Sequence, residues 1–141
     1  MLTDVKSIRA LALAMATVAG AAFSGAAYAA SPSVTVTDQK LVRNSVTIAD
    51  VNLPKNGFVA IHASDAGGKM TSRIVGYAAL RAGDHKGVRV HLTGTQKAGE
   101  TLWAVAHQAK GRYLFGNRSR SNIGTPFMQD GKTVDEAFKT L

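Results

Sequence analysis

The chain has 141 residues, of which 45% are hydrophobic and 6% aromatic, and it contains no cysteine. Its 17 Lys and Arg residues outnumber nine Asp and Glu residues, which gives a formal net charge of +8 at pH 7. This length fits one domain at most, and the apolar content excludes a disordered chain or a coiled coil. The lack of cysteine excludes disulfide scaffolds, thiolate metal sites and thiol catalysis, because each of these needs sulfur.

The start of the chain differs in composition from the rest. Two basic residues precede an uncharged run of mostly Ala, Leu, Val and Met over 10–22, and Ala27 and Ala29 form the small-x-small pattern that signal peptidase accepts. We therefore expect residues 1–29 to be a signal peptide and residues 30–141 to be one exported domain. The alternative is a retained membrane helix, but the run is shorter than the roughly 20 strongly apolar residues that span a bilayer.

The remaining domain is expected to stay cationic after export. Without residues 1–29 the chain keeps 15 basic and eight acidic residues, a net charge of +7. No second long apolar run follows, so we expect no membrane span in the mature protein and a periplasmic or extracellular location. Export without cysteine is typical of bacterial envelope proteins, since small eukaryotic secreted domains usually depend on disulfides.

From residue 33 onward, short stretches rich in Val, Ile and Thr alternate with Gly, Asn, Asp or Pro. This pattern predicts an all-β domain, and its spacing is typical of an antiparallel sandwich of seven or eight strands, immunoglobulin-like or cupredoxin-like. The expected strands cover 34–37, 45–51, 57–63, 73–79, 87–92, 101–107, 126–129 and 132–138.

Hydrophobic patterning also predicts which residues face the interior. Alternation marks one face of the strands at 45–51 and 87–92, whereas 57–63 and 101–107 are apolar on both faces and are expected to be central strands. Trp103 is assigned to the core rather than to a ligand platform, because sandwiches usually bury a large aromatic residue between their sheets. The residues expected in or beside the core are Val46, Ile48, Val59, Ile61, Val88, Val90, Leu92 and Trp103.

The C-terminal segment allows two interpretations. Val134, Ala137, Phe138 and Leu141 fit the spacing of one face of a helix. A strand is nevertheless favoured, because the Asp130-Gly131 pair predicts a tight hairpin turn that sends the chain back antiparallel to the strand before it.

Five fragments of the chain form an ordered series of motifs. They read Gly-Phe-Val-x-Ile-His at 57–62, Ile-x-Gly at 74–76, Ala-Gly-x-His-x-x-Val at 82–88, Leu-x-Ala-x-x-His at 102–107 and Asp-Gly-x-x-Val at 130–134. In this order the chain resembles a family of secreted bacterial and archaeal β-sandwich domains of unknown function. The resemblance covers most of 34–138 and implies the sandwich fold and export, but no activity.

The chain departs from that family at three places, one of which is 108–110, where Gln-Ala-Lys replaces the acidic residues that often follow the histidine. Val105 and Ala106 replace the usual methionine-containing step before His107, and Arg118 and Arg120 lie where relatives tend to have acidic or neutral residues. Because the charge is reversed here, the resemblance does not imply that this chain binds the same ligand as its relatives.

Histidines are the residues most suited to metal binding, since neutral imidazole is a common ligand of copper and zinc. His62 and His107 both end apolar strands, so if those strands are neighbours their rings could meet at one edge of the sheet, near Asp65 and with His85 on an adjacent turn. The alternative, favoured on sequence alone, is structural: ring nitrogens that hydrogen-bond to backbone groups at strand ends. A blue-copper site is excluded because it needs a cysteine thiolate.

A basic segment at 110–120 is a second candidate site. It combines two aromatic residues with four cations, Lys110, Arg112, Arg118 and Arg120. This composition is typical of a loop that binds an anionic polymer such as lipopolysaccharide, a cell-wall polymer or extracellular DNA. The alternative is a solvated loop that its aromatic residues fix to the core.

Catalytic motifs are not found in the sequence. There is no nucleophile elbow, zinc-protease helix or Gly-rich phosphate loop. We therefore expect a non-enzymatic binding module for an anionic envelope or extracellular component, without a cofactor. The alternative is a periplasmic protein that binds copper or zinc through histidines.

Overall fold

The computed structural model describes residues 31–110 and 119–141. These residues form ten β-strands and one 3-10 turn at Arg120–Asn122. The strands are β1 (Ser33–Thr35), β2 (Ser45–Leu53), β3 (Gly57–Ser64), β4 (Met70–Leu80), β5 (Gly83–His91), β6 (Thr101–Ala109), β7 (Ile123–Pro126), β8 (Met128–Gln129), β9 (Lys132–Thr133) and β10 (Asp135–Lys139). The prediction of an all-β domain is confirmed.

The structure has more strands than the seven or eight expected, because the last two predicted strands are each interrupted. Phe127 separates β7 from β8, and Val134 separates β9 from β10. Both side chains are buried in the core, and the Val134 N–H donates to the Phe127 carbonyl oxygen at 3.0 Å. Burying these two residues redirects the chain, so two continuous strands become four short ones.

Two antiparallel sheets pack around one core. In the larger sheet the order is β10-β6-β3-β4, and β7 pairs with β6 on the same side as β10. The smaller sheet has the order β1-β2-β5. A separate hairpin joins β8 to β9 through Asp130 and Gly131, whose positive φ values of 54° and 79° fit a tight hairpin turn.

Most of the expected core is confirmed. Six of the eight predicted residues are buried, namely Val46, Ile48, Val59, Ile61, Val90 and Leu92. Val88 is only partly buried and packs against the margin of the core.

Trp103 is not in the core, so that prediction is wrong. The register of β6 turns Leu102, Ala104 and Ala106 toward the smaller sheet, and consecutive side chains of a strand point to opposite faces. Trp103 therefore lies on the outer face of the larger sheet, half-buried, where its Nε1–H donates to the Gly68 carbonyl oxygen at 3.0 Å.

The C-terminal segment is a strand, as favoured from the hairpin turn. β10 pairs antiparallel with β6, with Phe138 opposite Leu102. Phe138 is buried in the core. The expected signal peptide at 1–29 lies outside the described residues, and no helix among the described residues has the length and apolar character needed to cross a membrane.

β3 is a central strand of the larger sheet and is buried on both faces. Every residue of 57–63 is buried, and β4 and β6 pair with its two sides. A Cβ atom at Gly57 would collide with the His107 carbonyl oxygen, so glycine allows β3 and β6 to approach closely at this point. Odd-numbered residues of β3 fill the core, and the even-numbered residues, His62 among them, lie on the outer face.

Candidate functional site

Two buried histidines lie together on the outer face of the larger sheet. His62 belongs to β3 and His107 to β6, which are antiparallel neighbours. In the register, His62 lies opposite Trp103 and His107 lies opposite Phe58. The backbones of the two histidines therefore lie at opposite ends of the paired segment. Their side chains extend toward each other along the sheet, over the residue pair that lies between them.

That intervening pair is Ala60 opposite Val105, and both residues are fully buried. The sequence interpretation allowed the rings to meet at one edge of the sheet if the two strands are neighbours, because both residues end their strands. Antiparallel neighbours place those ends apart, so this reason was wrong. The meeting depends instead on two rings that extend toward each other over the short side chain of Ala60.

The two imidazole rings point at each other edge to edge. Their Nε2 atoms are 3.0 Å apart, their ring centroids are 5.2 Å apart and their planes differ by 9°. The centroid distance equals the Nε2–Nε2 distance plus about one centroid-to-Nε2 distance in each ring. These lengths add up in this way only when both Nε2 atoms lie close to the line that joins the two centroids. His62 is 7% and His107 is 6% exposed, so solvent reaches this contact very little.

Backbone carbonyl groups fix the orientation of both rings. The Nδ1–H of His62 donates to the Thr71 carbonyl oxygen at 2.8 Å, and the Nδ1–H of His107 donates to the Gly124 carbonyl oxygen at 2.7 Å. Since a carbonyl oxygen only accepts hydrogen bonds, each ring carries its hydrogen on Nδ1. In the neutral form each Nε2 therefore presents a lone pair to the other ring.

Two facing lone pairs at 3.0 Å repel each other and leave two buried acceptors without a donor, which is unfavourable by about 1–3 kcal/mol for each buried acceptor. One positive species on the line between the nitrogens removes both problems. That species is a proton, which makes one N–H···N hydrogen bond, or a metal cation, which accepts both lone pairs. The arrangement of the two rings is therefore suited to one shared proton or one bound cation.

The electrostatics of the site disfavour a fully protonated pair. Burial lowers the pKa of His107, the hydrogen bond to the Gly124 carbonyl group raises it, and a positive charge on His62 lowers it again. The lowering effects dominate, so the Nε2 lone pair of His107 stays available near neutral pH.

The other candidate ligands have partners elsewhere. His85 belongs to β5 in the smaller sheet, and its Nε2–H donates to the Arg81 carbonyl oxygen at 2.7 Å. Asp65 follows β3, where its Oδ1 accepts the backbone N–H groups of Gly67 and Lys69 at 2.9 Å. No group of three or more His, Cys, Asp or Glu residues suited to a metal occurs within 31–110 and 119–141.

The basic segment is described only at its two ends. The Lys110 N–H donates to the Asn122 carbonyl oxygen at 2.6 Å, which places Lys110 beside the 3-10 turn that contains Arg120. Both cationic side chains are exposed. The other two candidates, Arg112 and Arg118, lie outside the described residues.

Sequence reasoning named both histidines but missed the groups that orient them. Thr71 and Gly124 act through their backbone carbonyl oxygens, which have no side-chain signature. A weak signal was available in Ala60, a small residue between larger apolar ones in a strand that reads as buried on both faces.

These features define a small antiparallel β-sandwich whose larger sheet buries a pair of histidines on its outer face. The chain belongs to the family described as a domain of unknown function (DUF7282), whose profile matches residues 32–140. This finding confirms the resemblance to a family of unknown function. No curated protein and no solved structure matches the chain.

Proposed function

We propose that this protein is an exported, non-enzymatic binding domain that holds one copper or zinc ion between His62 and His107. The observation that supports this function is the contact of their Nε2 atoms at 3.0 Å while both Nδ1 atoms donate to backbone carbonyl groups. Metal-ligating histidines typically use the second ring nitrogen in this way, because the hydrogen bond fixes the tautomer and aims the lone pair.

The positions of the two anchors strengthen this proposal. Thr71 lies in β4 and Gly124 in β7, two strands on opposite sides of the pair of strands that carries the histidines. Each ring is therefore oriented by a different element of the sheet, and the two lone pairs converge without a loop to hold them. Preorganised ligands reduce the ordering cost of binding.

Calorimetric titration of the purified, metal-free protein with Cu²⁺ and Zn²⁺ tests the proposal. We expect binding of one ion per chain, abolished in both His62→Ala and His107→Ala, because removal of either ligand leaves one nitrogen. His91→Ala is the matched control, since His91 is exposed and its Nδ1 contacts the Ser45 hydroxyl group at 3.2 Å. Circular dichroism spectra establish that each variant is folded.

Two results would contradict metal binding at this pair. One is the absence of saturable binding of zinc, and of copper in either oxidation state, by the unsubstituted protein. The other is binding that persists unchanged in folded His62→Ala and His107→Ala, which would place the metal elsewhere.

A second function, binding of an anionic envelope or extracellular polymer, is supported by the neighbouring positions of Lys110 and Arg120. Together with Arg112 and Arg118 they supply four cations in a domain whose net charge is +7. If these four cations contact phosphates, raising the salt concentration from about 50 to 200 mM should weaken binding on the order of 100-fold, because each contact releases counterions.

Sedimentation with lipopolysaccharide or double-stranded DNA at several salt concentrations tests this second function. We expect Lys110→Ala combined with Arg120→Ala to reduce binding. Lys55→Ala combined with Lys132→Ala, which removes two exposed cations elsewhere in the domain, should change it much less. Binding that ignores salt, or that falls equally in both double variants, would contradict a specific role for this segment.

A further inference from the structure

The linear arrangement of the two Nε2 atoms restricts which ion can bind between the histidines. Because the Nε2 atoms lie on the line joining the ring centroids and the planes differ by only 9°, both lone pairs point along one axis. An ion between them would receive its two ligands from opposite sides. The geometry of the pair is thus linear.

A linear pair does not match the preferred geometry of zinc. Zn²⁺ binds four ligands in a tetrahedral arrangement, so two of its histidine lone pairs must converge at an angle rather than oppose each other. Within the described residues, no third His, Cys, Asp or Glu joins the pair. Zn²⁺ and Cu²⁺ would both need water molecules for their other positions, in a contact between residues that are only 7% and 6% exposed.

The charge of the site and of the surrounding domain also favours a monovalent ion. Transfer of an ion into a buried site costs more as its charge rises, unless ligands compensate it. The two ligands here are neutral imidazoles, and no carboxylate lies with them among the described residues. The expected exported domain around them has a net charge of +7, which repels a dication more strongly than a monovalent ion.

Resting on the proposed function, we infer that the ion is monovalent copper, bound by two ligands, with the Nε2 atoms of His62 and His107 on opposite sides. Cu⁺ has a filled d shell and accepts two ligands in a line, so the buried pair completes its coordination without water. Two metal–nitrogen bonds of about 2 Å each span about 4 Å, so the rings must separate by roughly 1 Å from their metal-free contact.

The anchoring of the rings is compatible with such a separation. Each Nδ1 hydrogen bond lies on the side of the ring away from the partner histidine, and its acceptor belongs to a different strand. Separation along the shared axis moves each ring by roughly 0.5 Å toward its own carbonyl acceptor. The acceptors lie on β4 and β7, outside the pair of strands that carries the histidines, so they can move by that small amount while the pairing of β3 with β6 is kept.

Anaerobic titration of the purified protein with Cu⁺, in competition with a colorimetric Cu⁺ chelator, tests this inference beside titrations with Zn²⁺ and Cu²⁺. We expect one Cu⁺ per chain, bound on the order of 100-fold more tightly than Zn²⁺. X-ray absorption should show two nitrogen neighbours and no third ligand. Both His62→Ala and His107→Ala should abolish binding, and His91→Ala should retain it.

His107→Met separates the possible ions further. A thioether is a soft ligand that suits Cu⁺ and is poor for Zn²⁺, and methionine packs readily in a buried site. We expect this variant to keep its Cu⁺ affinity within about tenfold of the unsubstituted protein and to bind Zn²⁺ no better than His107→Ala.

The outcomes distinguish this inference from the function on which it rests. Tight binding of Zn²⁺ or Cu²⁺ with weaker binding of Cu⁺, or a spectrum with four ligands, would overturn the linear monovalent site but leave a histidine metal protein. Absence of saturable binding for all three ions would overturn both.

Discussion

In the larger sheet β3 is buried on both faces from Gly57 to Ala63, whereas in the smaller sheet most side chains of β5 are exposed. Both strands are apolar enough to be recognised from sequence, and both carry histidines. His62 and its partner His107 are buried, but His91 on β5 is exposed and His85 is partly exposed. The same residue type thus occupies two different environments.

This difference explains why only one pair of histidines forms a candidate site. An exposed histidine satisfies its ring nitrogens with water, and its surroundings impose little on its orientation. A buried histidine must find a protein partner for each nitrogen, and in the larger sheet the available partners are two carbonyl groups and the other ring. Burial on the second face of the sheet therefore creates the geometry that a cation can use.

The largest loss of stability is expected on the outer face of the larger sheet, if that face is a packed layer. Phe58 is fully buried on that face and contacts the Tyr77 ring edge to face at a centroid distance of 6.2 Å. Phe58→Ala should destabilise the protein by about 3–5 kcal/mol in urea unfolding, because it removes a large buried side chain. Arg89→Ala, at an exposed position of β5, should change stability by less than about 0.5 kcal/mol. Equal effects would mean that the two outer faces do not differ.

Trp103 gives an intermediate case, because it lies on the same face as Phe58 but is only half-buried. Trp103→Ala should cost roughly 1–3 kcal/mol, less than removal of a fully buried aromatic side chain. Trp103→Phe should cost about 0.5–1.5 kcal/mol, since it mainly removes the hydrogen bond from Nε1 to the Gly68 carbonyl group. If Trp103→Ala were as unstable as Phe58→Ala, the Trp103 side chain would have to contribute as much to stability as a fully buried one, which would contradict its half-buried position.

The pH dependence of stability separates the buried and exposed histidines. The pKa of His107 is lowered by burial, so the unfolded chain takes up a proton near pH 6.5 that the folded protein still excludes. The metal-free protein should therefore lose stability as pH falls through about 6.5, by at most about 1.4 kcal/mol per pH unit for this one proton.

Urea unfolding between about pH 5 and 8 measures this dependence. Folded His107→Gln should show a weaker loss on acidification, while His91→Ala should keep the full loss. A protein that becomes more stable on acidification over this range would contradict a lowered pKa at His107.

The smallest effect is expected for the exposed histidine itself. His91→Ala removes a contact of its Nδ1 with the Ser45 hydroxyl group at 3.2 Å and little buried surface. Its effect on the free energy of unfolding should stay within about 0.5 kcal/mol. A larger loss would show that β5 is more tightly packed on its outer face than its exposure indicates.

Predictions from the sequence succeeded where the pattern is local. Alternation in β2 and at the end of β5 identified Val46, Ile48 and Val90 as core residues, and the Asp130-Gly131 turn correctly favoured a strand over a helix at the C-terminus. The prediction failed at Trp103 because an apolar strand buried on both faces gives no alternation from which to choose the face. Only the register of β6 against β3 decides it.

The candidate site followed a similar division. Composition and short periodicity directly express three properties: the chain is an all-β domain, His62 and His107 end two strongly apolar strands, and cysteine ligands are absent. Which strands are neighbours follows only from folding, which brings together two rings 45 residues apart and supplies Thr71 and Gly124 as their anchors. Backbone carbonyl groups and strand order leave no mark on residue identity, so the head-on contact of the two Nε2 atoms exists only once the sheet has formed.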